Sequence, residues 1–78
     1  MMLRETDIVV LTVDLTVYGL KSGDVGTVVL VHGGGGYEVE FVTLDGETVA
    51  VASLMANQVR PIAHHEIAHA RSINAMSR

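Results

Sequence analysis

The chain of 78 residues contains no cysteine and no tryptophan, and it has only one proline. Without cysteine it can form neither a disulfide nor a thiolate metal site, and small secreted domains commonly depend on disulfides. No apolar run approaches the roughly 20 residues that span a bilayer, and residues 1–7 lack the apolar segment of a secretory signal. We therefore expect a cytoplasmic protein with no membrane association.

Positive charge is also scarce. Lysine and arginine together number 5, against 9 aspartates and glutamates, which gives a formal net charge of −4. The basic residues are scattered along the chain, and one phenylalanine and two tyrosines are all that could stack on bases. Nucleic-acid binding depends on concentrated positive charge and is therefore disfavoured.

Aliphatic residues are abundant instead. The hydrophobic fraction is 49% and the mean hydropathy is +0.39, although a single domain of this length buries only about 60–65% of its unfolded surface. Either the core is unusually aliphatic, or part of the apolar surface is kept for a partner.

Short β-branched runs separated by glycine predict five strands. The predicted strands cover residues 7–13, 25–31, 37–44, 47–53 and 58–62. One helical turn is expected over residues 54–57, and Pro61 places the last strand at an edge because proline cannot donate to a strand ladder. The pattern favours an all-β, partly open small barrel over residues 1–62.

Glycines predict how these strands are joined. The run from Gly33 to Gly36 predicts a flexible hairpin tip, and Asp45-Gly46 predicts a tight hairpin turn. Gly26 lies inside the second strand, where glycine is typical of a bulge or a bend.

The composition changes after Pro61. Alanine and other helix formers dominate, and Ile67, Ala70 and Ile73 recur every three residues, which predicts one short α-helix over residues 63–76. Because isolated helices this short are marginal in water, the helix is expected to dock, pair or fray. The chain thus divides into a barrel, residues 1–62, and a helical tail, residues 63–78.

Several segments resemble a known family in their order and spacing. The segments are Asp7–Leu11, Gly19–Val29, Tyr37–Phe41, Asp45-Gly46 and Gln58–Pro61. Over residues 7–62 they resemble a family of small bacterial proteins known only as a domain of unknown function. The Gly-x-x-x-Gly-Asp-x-Gly-Thr-Val element at residues 19–28 also resembles turns in SH3-like barrels, including translation-factor and nitrile hydratase modules. The resemblance implies a five-stranded SH3-like barrel, carries no activity, and suggests an accessory or antitoxin-like partner of another small protein.

One motif could carry chemistry. His65, Glu66 and His69 match the His-Glu-x-x-His pattern, in which a helix presents two zinc ligands and a glutamate that activates water. A catalytic zinc site also needs a third ligand from another element, for which His32 and scattered carboxylates are the candidates. A helix that carries ordinary polar residues, with Ile67 facing the barrel, explains the same pattern without a metal.

These observations favour a non-enzymatic protein-binding module that self-associates or binds a separate protein. No local motif places a serine against a base, so we expect no catalytic residue. We also expect no bound metal and no cofactor. The residues expected to contact the partner are Tyr18, Leu20, Met55, Ile67, Ile73 and Met76. A zinc-dependent hydrolase that uses His65, Glu66 and His69 and a nucleic-acid-binding SH3-like module stay open as alternatives.

Overall fold

The computed structural model describes residues 2–73 and contains five strands and two short 3-10 turns. The strands are β1 (Ile8–Leu11), β2 (Val25–Val31), β3 (Gly36–Val42), β4 (Thr48–Met55) and β5 (Val59–Pro61), and the turns are Thr16–Tyr18 and Ala56–Gln58. The bounds of β2 match the prediction, and the other four strands lie within the predicted runs or extend them at one end. Within the described range no helix is long and apolar enough to cross a membrane.

All five strands form one antiparallel sheet in the order β4-β3-β2-β1-β5. The prediction of a mainly β fold is confirmed, and Pro61 does lie in an edge strand. The predicted barrel is not closed, because β4 and β5 remain the two edges of the sheet. The physical reason is that β5 is only three residues long and ends in a proline, so it offers little backbone with which to reach β4.

The inner face of the sheet carries the core. Alternate residues of each strand point inward, and the largest fully buried side chains are Phe41, Leu11, Val9, Val28 and Val39. Gly26 was predicted to mark a bulge or a bend. It pairs with Val9 in regular register, so no bulge lies there, and the register shift in β2 lies between Val28 and Leu30. A Cβ atom at position 26 would lie 2.8 Å from the Phe41 ring, so glycine leaves room for that ring.

Both predicted hairpins are present. Gly46 adopts a φ of 96° and donates its N–H to the carbonyl of Thr43 at 2.9 Å, so the turn before β4 needs a residue that tolerates positive φ. At the other hairpin Gly35 has a φ of 95°, and the His32 N–H donates to the Gly36 carbonyl at 2.8 Å.

The predicted C-terminal α-helix is wrong for residues 63–73, which form no helix. His65 has a φ of 68°, in the left-handed region that an α-helix does not use. The Ala63 N–H donates to the Glu66 carboxylate at 2.6 Å, a bond typical of a helix start, but Arg60 of β5 binds the same carboxylate and the chain does not continue as a helix. Residues 74–78, which include the predicted contact residue Met76, lie outside the described residues.

Candidate functional site

The outer face of the sheet, opposite the core, divides into two halves. Strand alternation turns Val10 to this face, away from Val9, and Val10 lies directly across from Val25 and Arg60. A cavity of about 720 Å³ is lined by these three side chains and most of the tail between Ile62 and Ile73, together with residues of the core and of the β3–β4 hairpin, such as Phe41 and Val42. We call this part the covered half. We call the surface formed by Leu30 at the end of β2, Glu38 and Glu40 of β3, and residues 51–55 of β4 the open half.

One ion pair fixes the beginning of the tail. Arg60 Nη1 donates to Glu66 Oε1 at 3.0 Å and Arg60 Nη2 donates to Oε2 at 2.7 Å. These bonds, and then the one from the Ala63 amide, lower the pKa of Glu66 to about 2. Glu66 is therefore a fully ionised structural carboxylate at neutral pH, whereas a general base works best with a pKa near the operating pH.

A second ion pair fixes the tail near its described end. Arg71 Nε donates to Asp24 Oδ1 at 2.9 Å, and Arg71 Nη2 donates to Asp24 Oδ2 at 2.5 Å and to the Gly19 carbonyl at 3.1 Å. Burial raises the pKa of Asp24, but the bonds from Arg71 and from the Lys21 amide outweigh burial, so the pKa lies below its usual value. Beyond this pair Ile73 packs against the core cluster.

A hydrogen-bonded polar cluster lies at the centre of the open half. The Glu38 carboxylate oxygen Oε2 lies 2.6 Å from His32 Nε2 and accepts a bond of 2.6 Å from the Ser53 hydroxyl. The contact with His32, and then the one with Ser53, hold the pKa of Glu38 below its usual value. Because Ser53 donates to the carboxylate and not to the imidazole, the cluster does not have the order of a nucleophilic triad.

Exposed apolar side chains surround that polar cluster. Leu30 pairs with Glu38 across β2 and β3, and Val51 pairs with Glu40 across β3 and β4. The exposed fractions are 45% for Leu30, 49% for Val51 and 55% for Met55. Exposed apolar side chains interspersed with hydrogen-bonded polar groups fit a surface that meets another molecule.

Comparison with known proteins identifies the family. A domain of unknown function, DUF4926, matches residues 5–61. The chain belongs to the DUF4926 family. The match confirms the resemblance seen in residues 7–62, and it covers all five strands with Asp24, Arg60 and the open half. Glu66 and Arg71, which fix the tail, follow the matched range. No curated protein and no solved structure matches the chain.

The histidine motif of this DUF4926 protein lies in the tail. Because the segment is not helical, His65 and His69 do not share the helix face that the zinc hypothesis requires. Glu66 is bound to Arg60, and among residues 2–73 no three metal-type side chains form a group that could hold an ion.

Three of the predicted contact residues are at the surface, in three different places. Tyr18 is 36% exposed in the first 3-10 turn, Met55 lies on the open half, and Ile67 is 96% exposed in the middle of the tail. Leu30 and Val51 were not among the residues predicted to contact a partner. The alternation of valine with alanine in β4 was a usable signal for Val51, because the alanines pack inward under Phe41.

The other predicted contact residues are not available on this surface. Leu20 is only 3% exposed and belongs to the core. Ile73 is partly buried against that core, and Met76 lies outside the described residues.

Proposed function

We propose that this DUF4926 protein is a non-enzymatic protein-binding module whose contact surface is the open half of the sheet. The observation that carries the proposal is the exposure of Leu30, Val51 and Met55, at 45–55%, around the polar cluster of Glu38. Exposed apolar side chains and hydrogen-bonding polar groups are the two components that protein–protein interfaces combine.

The rest of the molecule supports this assignment of surface. The core is complete without those three side chains, since the inner face already buries its large hydrophobic residues and no polar residue among positions 2–73 is buried. Most of the tail lines a cavity with Val10, Val25 and Arg60 of the covered half and with the core residues Leu20 and Phe41. The open half therefore accounts for part of the aliphatic excess of the sequence.

The carboxylates support a binding role over an enzymatic one. Asp24, Glu38 and Glu66 each have a lowered pKa because each accepts hydrogen bonds from neighbouring side chains. Acid–base catalysis favours groups whose pKa is shifted toward the operating pH. These three groups are stabilised as anions and hold local structure.

We also propose that the fold is an SH3-like barrel that stays open. The support is the connectivity: β2, β3 and β4 follow one another as a meander, β1 pairs with both β2 and β5, and a 3-10 turn precedes the last strand. This connectivity concerns architecture alone and transfers no activity.

The test is native mass spectrometry of untagged protein, purified gently from its own cells. We expect a complex with a second protein molecule, either another copy or a different chain, and no stoichiometric metal. Met55→Lys should remove that complex, because it places a charge on the contact surface. The control Val17→Lys changes a residue that is 85% exposed in the first 3-10 turn and should keep the complex. A wild-type protein that stays monomeric and carries no partner contradicts the proposal.

A further inference from the structure

The outward side of β4 has backbone groups that no neighbouring strand uses. The Gly36 carbonyl accepts the His32 N–H, so Gly36 directs its backbone groups toward β2. Met55 is directly across from Gly36 on β4, and it therefore directs its own groups away from β3. The Met55 N–H confirms this direction, because it donates to Gln58 Oε1 at 2.8 Å.

The same direction applies to every second residue of β4. The register between β3 and β4 is unbroken from Met55 back to Ala50, so Ser53 and Val51 also direct their N–H and C=O groups outward. Within the described part of the chain, no backbone hydrogen bond from another segment reaches these two residues. With respect to residues 2–73, the edge is thus free along the middle of an eight-residue strand.

Natural sheets usually guard such an edge with charged side chains, proline or a bulge. Between Thr48 and Met55 the strand has no charged residue and no proline. The register shift between β3 and β4 falls at Val42, before the free stretch begins. The Gln58 side chain accepts a hydrogen bond only from the Met55 N–H, at the end of the strand.

We propose that the free edge of β4 pairs antiparallel with β4 of a second copy, so that two five-stranded sheets form one continuous sheet. The inference rests on the proposed protein-binding function and names its partner. Two identical antiparallel strands are related by a twofold axis, and in that arrangement outward N–H groups of one copy meet outward C=O groups of the other.

The chemistry of β4 fits another copy better than a foreign strand. Because the strand is uncharged, self-pairing places no like charges opposite each other, which would oppose association. Complementary charge is one means by which a strand of a different protein is selected, and β4 offers no charge for that selection. Glu38 and Glu40 lie on the neighbouring strand β3. Glu38 accepts a hydrogen bond from the Ser53 hydroxyl and Glu40 accepts one from the Thr48 hydroxyl.

The exposed side chains of the open half would also gain neighbours in this arrangement. Val51 and Met55 point to the outer face beside the edge. Across the twofold axis they would meet the outer-face side chains of the second β4, and such cross-strand pairs are a main source of sheet stability.

The test is sedimentation velocity of the full chain over a range of concentrations, with two edge variants and one matched control. Wild-type protein should form a dimer that dissociates on dilution. Val51→Pro removes an N–H that β3 does not use, and the twofold axis doubles the loss, so dimerisation should weaken by about tenfold or more. Val51→Lys should also weaken it, by placing charge at the edge. Val25→Lys changes a valine of similar exposure, 48%, in the interior strand β2, and should leave the dimer unchanged.

The outcomes separate this inference from the proposed function. A protein that stays monomeric at every concentration overturns self-pairing, and so does a dimer that both Val51 variants leave intact. A monomer that still carries a different protein, lost in Met55→Lys, overturns self-pairing but keeps the binding function. A monomer with no partner of either kind overturns both. Circular dichroism of each variant establishes that it is folded.

Discussion

The two edges of the sheet are built in opposite ways. At β5, the Thr12 N–H donates to the Gln58 carbonyl at 2.9 Å, and the same alternation turns Arg60 toward β1 and leaves Val59 and Pro61 facing outward. Val59 is only 3% exposed, Pro61 has no N–H, and the Pro61 carbonyl accepts a bond of 3.1 Å from Arg60 Nη1. At β4, Val51 is half-exposed, and its backbone N–H and C=O groups bond to no other segment of the described chain.

The difference between a blocked edge and a free edge shows how an open sheet can associate without polymerising. A molecule with two free edges can add copies on both sides and grow without limit. A molecule with one free edge and one blocked edge stops when two free edges meet. In this protein the blocked edge is also where the tail begins, with Glu66 bound to Arg60.

The largest effect is expected from a substitution in the hydrophobic core, because both edge strands pack on it. Phe41 is 2% exposed and lies against Gly26 in the middle of the sheet. Phe41→Ala should lower the free energy of unfolding by about 3–5 kcal/mol, a large part of the total for a small domain. Chemical denaturation measures the loss. Val17→Ala, at a residue 85% exposed, should change the same quantity by less than about 0.5 kcal/mol. A loss below about 1 kcal/mol for Phe41→Ala would refute the shared core.

A smaller effect is expected from releasing the tail at its second ion pair. Arg71→Ala removes both bonds to Asp24, whose side chain is 19% exposed, and the bond to the Gly19 carbonyl. We expect a loss of about 1 kcal/mol, because the pair is partly open to water, and faster proteolysis within residues 64–72. Arg4→Ala is the control, since among residues 2–73 Arg4 forms a hydrogen bond through its backbone N–H and none through its side chain. If the cleavage rate of the tail does not change, Arg71 does not hold it.

Acid should loosen the tail before it affects the sheet. The carboxyls of Glu66 and Asp24 have pKa values below their usual ones when the tail is in place. The stabilisation is therefore complete above the usual glutamate value of 4.5 and is lost as pH falls toward about 2, the pKa of Glu66 in this structure. NMR should show the Ala63 amide changing over this range while the Ala52 amide, which faces β3, stays constant. An Ala63 amide that is unaffected by acid would contradict the role of Glu66.

The smallest effect concerns the polar cluster beside the free edge. Ser53→Ala removes one of the two side-chain hydrogen bonds to Glu38, so the pKa of Glu38 should rise toward its usual value. Carboxyl NMR titration measures that pKa. Ser72→Ala, in the tail, should leave it where it is. If the pKa of Glu38 is the same in both variants, the Ser53 hydroxyl does not stabilise the carboxylate.

Local sequence predicts the strands of this protein well. The β-branched runs and the glycine turns predicted which segments form strands and in what order along the chain, and Pro61 predicted one edge strand. These features depend on residues that are close in sequence. The tail is different. A stripe of Ile67, Ala70 and Ile73 favours a helix, but helix propensity is a weak preference, and Arg71 binds Asp24 across 47 residues of sequence. Such long-range contacts leave no periodic signal.

The candidate site was predictable only in part. Met55 was expected at a contact surface and lies on the open half, where it is 55% exposed. Leu20 was expected there and is buried, because the loop folds back over the core. The free groups of Val51 and Ser53 follow from the hydrogen-bond direction in β3 and from strand order, and neither can be deduced from the composition of β4.

Amide hydrogen exchange, measured residue by residue at two protein concentrations, tests the contrast between the edges most directly. In dilute protein the Val51 and Ser53 amides should exchange quickly, while the Ala52 and Leu54 amides, which face β3, exchange slowly. In concentrated protein Val51 and Ser53 should become protected, because a second β4 accepts their N–H groups. Slow exchange of Val51 and Ser53 even when dilute would mean that this edge is already covered. Fast exchange at both concentrations would mean that no second copy pairs with it.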